Sequence, residues 1–186
     1  MMVAVAMAVK LRAWVLPLFY EDITNPLDPT SKLGALTQSG EFCLNPALTK
    51  NDYQHVVQEF MGKLEDEKRE ALSRLNTKVN SYYGSSDPHI LNNRPVVLVG
   101  DVVFSALSLE VAKHLLKPLT PSAVYGVVGN ATIDVSTEFR LATNDSVILD
   151  VLPSSVLGED HYFENHDAYS EQEKQALAIN IAQYWA

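Results

Sequence analysis

Apolar and small or polar residues alternate over the first part of the chain. From Val3 to Val15 the odd positions carry mostly bulky apolar side chains, whereas the even positions run through alanines to cationic and aromatic residues. A period of two over this length is typical of a β-strand, although the alanines would also allow a helix. We predict an N-terminal strand that pairs either within its own chain or with a partner. The candidate interaction residues are Val3, Val5, Met7, Lys10, Arg12 and Trp14.

Residues 17–49 are rich in turn-forming residues. This segment holds four prolines and two glycines, and it includes the pairs Asn25-Pro26, Asp28-Pro29 and Asn45-Pro46. Such pairs start turns, and loops of about 30 residues within a compact domain are usually functional or ordered by a neighbour. We therefore predict an extended Pro-rich arm or loop.

A long amphipathic helix is predicted over residues 52–80. Asn51 and Gln54 resemble a capping box, and apolar residues recur at helical spacing on both sides of six consecutive charges at 65–70. A continuous helix would be about 42 Å long and would traverse or project from a compact body of about 40 Å. The alternative is a helical hairpin that turns near Gly62 or residue 66.

The rest of the chain predicts short strands and two further helices. Residues 95–100 read as a buried strand, and residues 101–117 read as an apolar helix ended by prolines. Four short segments between 123 and 152 then show a period of two, which predicts an antiparallel β-meander. A second capping box at Ser170 opens a C-terminal helix. The fold class predicted for residues 1–186 is a single α+β domain: the meander and the N-terminal strand, flanked by one long helix and two shorter ones.

The net charge narrows the range of partners. The chain has 14 Lys and Arg against 23 Asp and Glu, a net charge of -9. Residues 1–133 hold 12 bases and 13 acids, a net of -1, and residues 134–186 hold 2 bases and 10 acids, a net of -8. This distribution argues against binding to nucleic acid, whose phosphates attract Lys and Arg. It predicts instead that the acidic 134–186 end faces a basic protein surface.

No targeting signal is recognised in the sequence. The apolar start of the chain is interrupted by Lys10 and Arg12 and is too short to span a bilayer. No small-residue cleavage site follows it. We expect a cytoplasmic or virion location and no membrane partner.

Signatures of catalysis are weak. Cys43 is the single cysteine, so an intramolecular disulfide is excluded, and we expect a buried or half-buried thiol. Gly-x-Ser-x-Gly and Gly-Lys-Ser/Thr sequences are absent. No catalytic residue and no cofactor are predicted. One cluster of imidazoles and carboxylates could bind a divalent metal, although the two histidines miss the i,i+4 spacing that places two ligands on one helix face; its members are Glu159, Asp160, His161 and His166.

Two functions follow from these observations. The first is a non-enzymatic structural or assembly subunit that docks into a larger homo- or hetero-oligomeric complex through residues 3–16 and the arm. Its combination of a long N-terminal segment, an arm, an overhanging helix and a β-meander with exposed edges resembles that of small neck and tail proteins of tailed bacteriophages, and the specific hypothesis is a virion component. The alternative is a small metal-dependent hydrolase that uses the cluster at His161 and His166.

Overall fold

The chain folds into two compact units with mixed α and β structure. In the computed structural model, the described residues are 2–82, 88–103, 105–153 and the single positions 172, 173 and 176. One unit comprises residues 1–17, 86–105 and 120–186, and the other comprises 18–85 and 106–119. The described part contains one antiparallel and one parallel sheet, each of three strands, together with α-helices, which confirms the α+β class. The prediction of a single domain stays a prediction.

The elements of the described chain, in order, are these: α1 (Met2–Leu11), β1 (Tyr20–Asn25), β2 (Asp28–Thr37), β3 (Phe42–Leu44), α2 (Lys50–Tyr82), a short 3₁₀ helix (Pro88–Leu91), β4 (Pro95–Val103), α3 (Ala106–Leu116), β5 (Ala123–Thr132), α4 (Ile133–Ala142) and β6 (Asp145–Leu152).

The second unit is built on the antiparallel sheet β1-β2-β3, which carries one helix on each face. On one face, Ile23, Leu33 and Leu36 form a buried core with residues of α2. On the other face, Ala35 and Cys43 pack with residues of α3. Burial of apolar side chains on both faces stabilises this three-layer arrangement.

The long helix is confirmed, and it is kinked. α2 has 33 residues, a length of about 50 Å, and Phe60 within it has non-helical angles (φ -124, ψ 22). Val56 before the kink and Leu64 and Leu75 after it belong to the same core as Ile23 of β1. The alternative of a helical hairpin is therefore wrong, because both segments lie along one sheet.

The predicted arm over 17–49 is wrong, because this segment forms the three strands β1, β2 and β3, and the pairs Asn25-Pro26 and Asp28-Pro29 lie at a hairpin tip. Asn25 pairs with Asp28 at the tip of β1 and β2. The Asn25 side-chain oxygen accepts a hydrogen bond from the Leu27 amide at 3.1 Å, and the Asp28 carboxylate accepts one from the Thr30 amide at 3.0 Å. The side chains of Asn and Asp stabilise the turn, and the flanking residues continue as strands.

The parallel sheet of the first unit has the strand order β4-β5-β6. α4 connects β5 to β6 and covers one face of these two strands. Its buried Phe139 lies so close to Gly126 of β5 that a Cβ there would sit 2.0 Å from the ring. Gly126 thus admits the aromatic ring that anchors α4.

The predicted antiparallel meander is wrong for residues 123–152, where a strand, a helix and a parallel strand follow one another. Val135, Ser136 and Phe139 are buried, and their spacing is helical. Gly129 and Asn130, a pair typical of hairpin turns, both lie inside β5. A Cβ on Gly129 would meet the Asp101 carbonyl oxygen at 2.4 Å, so this glycine permits the close approach of β4.

The predicted N-terminal strand is also wrong, since residues 2–11 form α1. Alanine has the highest helix propensity of all residues, and Ala8 is buried in a helix that packs along β4. Because α1 is apolar on almost all sides, an alternation of bulky and small apolar residues occurs in it without marking a strand. The predicted helix over 101–117 is confirmed only from Ala106, because Asp101–Val103 continue β4.

One ion-pair cluster links β1 to α2. Glu21 accepts hydrogen bonds from Arg74, at 3.0 Å, and from Lys78. Burial alone would raise the pKa of Glu21, but the hydrogen bonds and charges of Lys78 and Arg74 outweigh it and hold this pKa below its ordinary value. The Glu21 side chain is only 14% exposed, so solvent screens this cluster less than an ordinary surface pair.

We predict that Gly126→Ala destabilises the protein by about 1 to 3 kcal/mol, because the new methyl group collides with the packed Phe139 ring. The matched control is Gly62→Ala on α2, where no atom lies within 4 Å of the added carbon. That control should stabilise the protein by about 0.5 to 1 kcal/mol. Urea unfolding measures both, and equal effects of the two substitutions would contradict this account.

We predict that Glu21→Gln lowers the free energy of unfolding by about 1 kcal/mol at pH 7. Because the pKa of Glu21 is lowered in the folded state, its contribution is complete above the ordinary carboxyl pKa and disappears as the pH falls through the folded value. The wild type and the variant should therefore converge in acid. A difference in urea unfolding that stays constant between pH 7 and pH values below the folded pKa would contradict this assignment.

Candidate interaction surfaces

One face of strands β5 and β6 presents apolar side chains to solvent. The register pairs Tyr125 with Asp145, Val127 with Val147, and Ala131 with Val151, and side chains alternate between the two faces along each strand. Leu149 is 75% exposed and Val147 is 55% exposed. We call the exposed residues on this side the open face; they are Tyr125, Asp145, Val147, Leu149 and Val151.

The open face is unusual because parallel sheets normally have both faces covered. The opposite face of β5 and β6 carries Gly126 and α4 with its Phe139 ring. Ala131, on the same side as the open face, is buried, but no described element covers Tyr125, Val147 or Leu149. Exposed apolar side chains grouped in this way mark a site for association. Among the described strands, β6 is at the edge of this sheet.

A second exposed apolar surface lies at the carboxyl end of α1. Leu11 is 58% exposed and Trp14 is 48% exposed. We call this surface the helix end; it consists of Val9, Lys10, Leu11, Arg12 and Trp14, all exposed.

The backbone geometry holds the helix end in place. Arg12 has a positive φ of 51, and the Ala13 amide donates a hydrogen bond to the Ala8 carbonyl oxygen at 3.0 Å. This is the 6→1 bond that ends many helices around a residue in the left-handed region. The guanidinium of Arg94 lies 5.9 Å from the centre of the Trp14 ring, so a cation also flanks the indole.

The two surfaces carry opposite charge. Residues 1–20 contain Lys10 and Arg12 and no acidic residue. Residues 134–153, which include β6, contain four acidic residues and one base, Arg140. Asp145 is the acidic residue of the open face itself, whereas Asp150 alternates to the opposite side of the same strand. Complementary charge of this kind orients partners and speeds their encounter.

The predicted interaction residues separate into two groups in the structure. Val3, Val5 and Met7 are half-buried in α1, which packs along β4, whereas the later residues of the set, Lys10, Arg12 and Trp14, are exposed at the helix end. The residues of the open face were not predicted as a surface. The alternation in residues 147–152 carried that signal, but it was assigned to a meander.

Metal-ligand clusters are absent from the part of the chain that the structure describes. No group of three His, Cys, Asp or Glu residues there could hold an ion. The predicted ligands Glu159, Asp160, His161 and His166 lie outside the described residues. The metal site, and the hydrolase that depends on it, stay predictions.

Two devices that hold phosphates are absent from the described residues at the carboxyl edge of the parallel sheet. Ligands of open α/β sheets bind where the strand order reverses, and the described strands run β4-β5-β6 without reversal. In the sequence, two residues without glycine separate β4 from α3, and none separates β5 from α4. Neither connection contains the glycines that let backbone amides surround a phosphate.

Cys43 is a buried structural thiol, as expected from the sequence. It lies in β3 and packs with Ala35, Leu107 and Val111. Burial, and then the charges of Glu110 and Glu41, raise the pKa of Cys43 to about 11. Because the thiolate is the nucleophilic form, this cysteine is unsuited to covalent catalysis.

Comparison with known proteins identifies the fold. No protein-family profile matches the sequence, and no curated protein matches it. The structure is similar to that of the protein TT1426 from Thermus thermophilus, with a TM-score of 0.70 and 21% sequence identity over 96% of this chain and 81% of that chain. Identity at this level shows a shared fold. Among the described helices, none combines the length and the apolar character that crossing a bilayer requires.

We predict that Cys43 in the folded protein reacts with a disulfide reagent at pH 8 only as fast as the protein unfolds. The thiol is buried and its raised pKa keeps it protonated at this pH. Urea above the unfolding midpoint should restore the rate of an ordinary thiol. Rapid stoichiometric reaction of the folded protein would show that the thiol is accessible and would contradict this assignment.

Proposed function

We propose that this protein is a non-enzymatic structural or assembly subunit that self-associates into a larger complex. The open face carries the proposal: Leu149 and Val147, on the edge strand of a parallel sheet, are exposed to 75% and 55%. Burying such side chains in an interface stabilises it by about 1.5 to 3 kcal/mol for each fully buried residue. The homo-oligomer is the form proposed here.

The features of the described residues that bear on chemistry also favour assembly over catalysis. The thiol of Cys43 is buried and has a raised pKa. The basic residues of the long helix also pair with acids, which disfavours binding to nucleic acid: Arg74 and Lys78 pair with Glu21, and Lys68 and Arg69 pair with acids on the same helix. The narrower expectation of a virion component, such as a neck or tail protein, stays a prediction.

The proposal predicts that the full-length protein forms species larger than the monomer, with a mass that rises between roughly 1 and 200 µM, the affinity range expected of a small interface. Sedimentation velocity measures this mass. Leu149→Glu should shift the protein to the monomer, because it places a charge on the apolar face.

The matched control is Leu27→Glu in the turn between β1 and β2, where the leucine is 50% exposed and lies outside the open face. This variant should associate as the wild type does. A wild-type protein that stays monomeric over the whole range would overturn the proposed function.

A further inference from the structure

We propose that the helix end of one copy docks on the open face of the next copy, so that subunits join head to tail. This inference rests on the proposed function and names its partner, a second copy of this chain. The two surfaces are both apolar, both exposed and opposite in charge. The basic surface expected to face the acidic end of the chain is then supplied by the protein itself.

Charge favours this arrangement over a symmetric one. A contact between two open faces would bring the Asp145 carboxylates of two copies together. A contact between two helix ends would bring together Lys10 and Arg12 of both copies. Like charges placed against each other in an interface are costly, whereas the pairing of helix end with open face places Lys10 and Arg12 near Asp145.

The apolar parts of the two surfaces also match in kind. The helix end offers Leu11 and the large, flat Trp14 side chain. The open face offers the ring of Tyr125 and the branched side chains of Val147 and Leu149. Aromatic and aliphatic anchors surrounded by charged groups are the common composition of interfaces.

A head-to-tail contact has consequences for the assembly. Each copy retains one unused helix end or one unused open face after the first contact forms. Such heterologous contacts generate a ring where the rotation between copies closes, and a filament where it does not. The assembly should therefore grow beyond a dimer.

The test uses two full-length variants, Leu11→Glu at the helix end and Leu149→Glu on the open face. Each should be monomeric alone in sedimentation velocity, with association at least about tenfold weaker than in the wild type. Mixed in equal amounts, they should form a 1:1 dimer that grows no further, because one intact helix end meets one intact open face. Leu27→Glu serves as the control that leaves association unchanged.

Salt provides an independent readout. Raising NaCl from roughly 0.05 to 0.5 M should weaken association of the wild type, because screening reduces the attraction between Lys10, Arg12 and Asp145. Circular dichroism and thermal unfolding of each variant establish that it is folded, since all three substituted leucines are exposed.

Three results would overturn this inference, and they differ from one another. In the first, the wild type associates, Leu11→Glu associates equally well and Leu149→Glu does not associate, which would indicate a symmetric contact between open faces. Association that neither variant changes would overturn the inference and leave the proposed function standing. In the third, the wild type is monomeric and the substitution Leu149→Glu strongly destabilises the fold. This result would show that the open face is covered within its own chain, and both the proposed function and the head-to-tail contact would fail.

Discussion

The structure of the first unit depends on its parallel sheet, because the strands of a parallel sheet are normally buried on both faces. Gly126 provides the space for Phe139, and this contact seats α4 against β5 and β6 on one side. On the other side, Val147 and Leu149 remain in solvent. The second unit differs, because its antiparallel sheet has α2 on one face and α3 on the other. Within the two described sheets, this contrast places the uncovered apolar side chains on the strand β6.

The distribution of charge specifies which surfaces of two copies meet. The net charge of -9 is concentrated at one end of the sequence, and the structure places part of that end on β6. The cationic residues Lys10 and Arg12 lie at the end of α1, in the same unit. An apolar surface alone would associate without orientation, whereas apolar surfaces with opposite charge specify which parts of two copies meet.

The sequence predicted what depends on local periodicity and missed what depends on tertiary context. The stripe through Val56, Leu64 and Leu75 identified α2, since a long amphipathic pattern has one structural reading. The period of two around Ala8 favoured a strand, whereas the high helix propensity of alanine agrees with the helix α1 that forms. Gly129 looked like a turn residue because a single sequence does not distinguish a turn from a close approach of two strands. Composition and periodicity do not predict the exposure of Leu149, because this exposure depends on which elements cover β6.

Hydrogen–deuterium exchange of the wild-type protein at roughly 2 and 200 µM tests the central claim most directly, because it reports the protection of each segment separately. We expect exchange to slow at the higher concentration in two segments together, the end of α1 with residues 12–14 and the strand β6. Strands β1 and β2 serve as internal references whose exchange stays the same. Exchange in α1 and β6 that does not depend on concentration, in a protein that associates, would contradict head-to-tail docking.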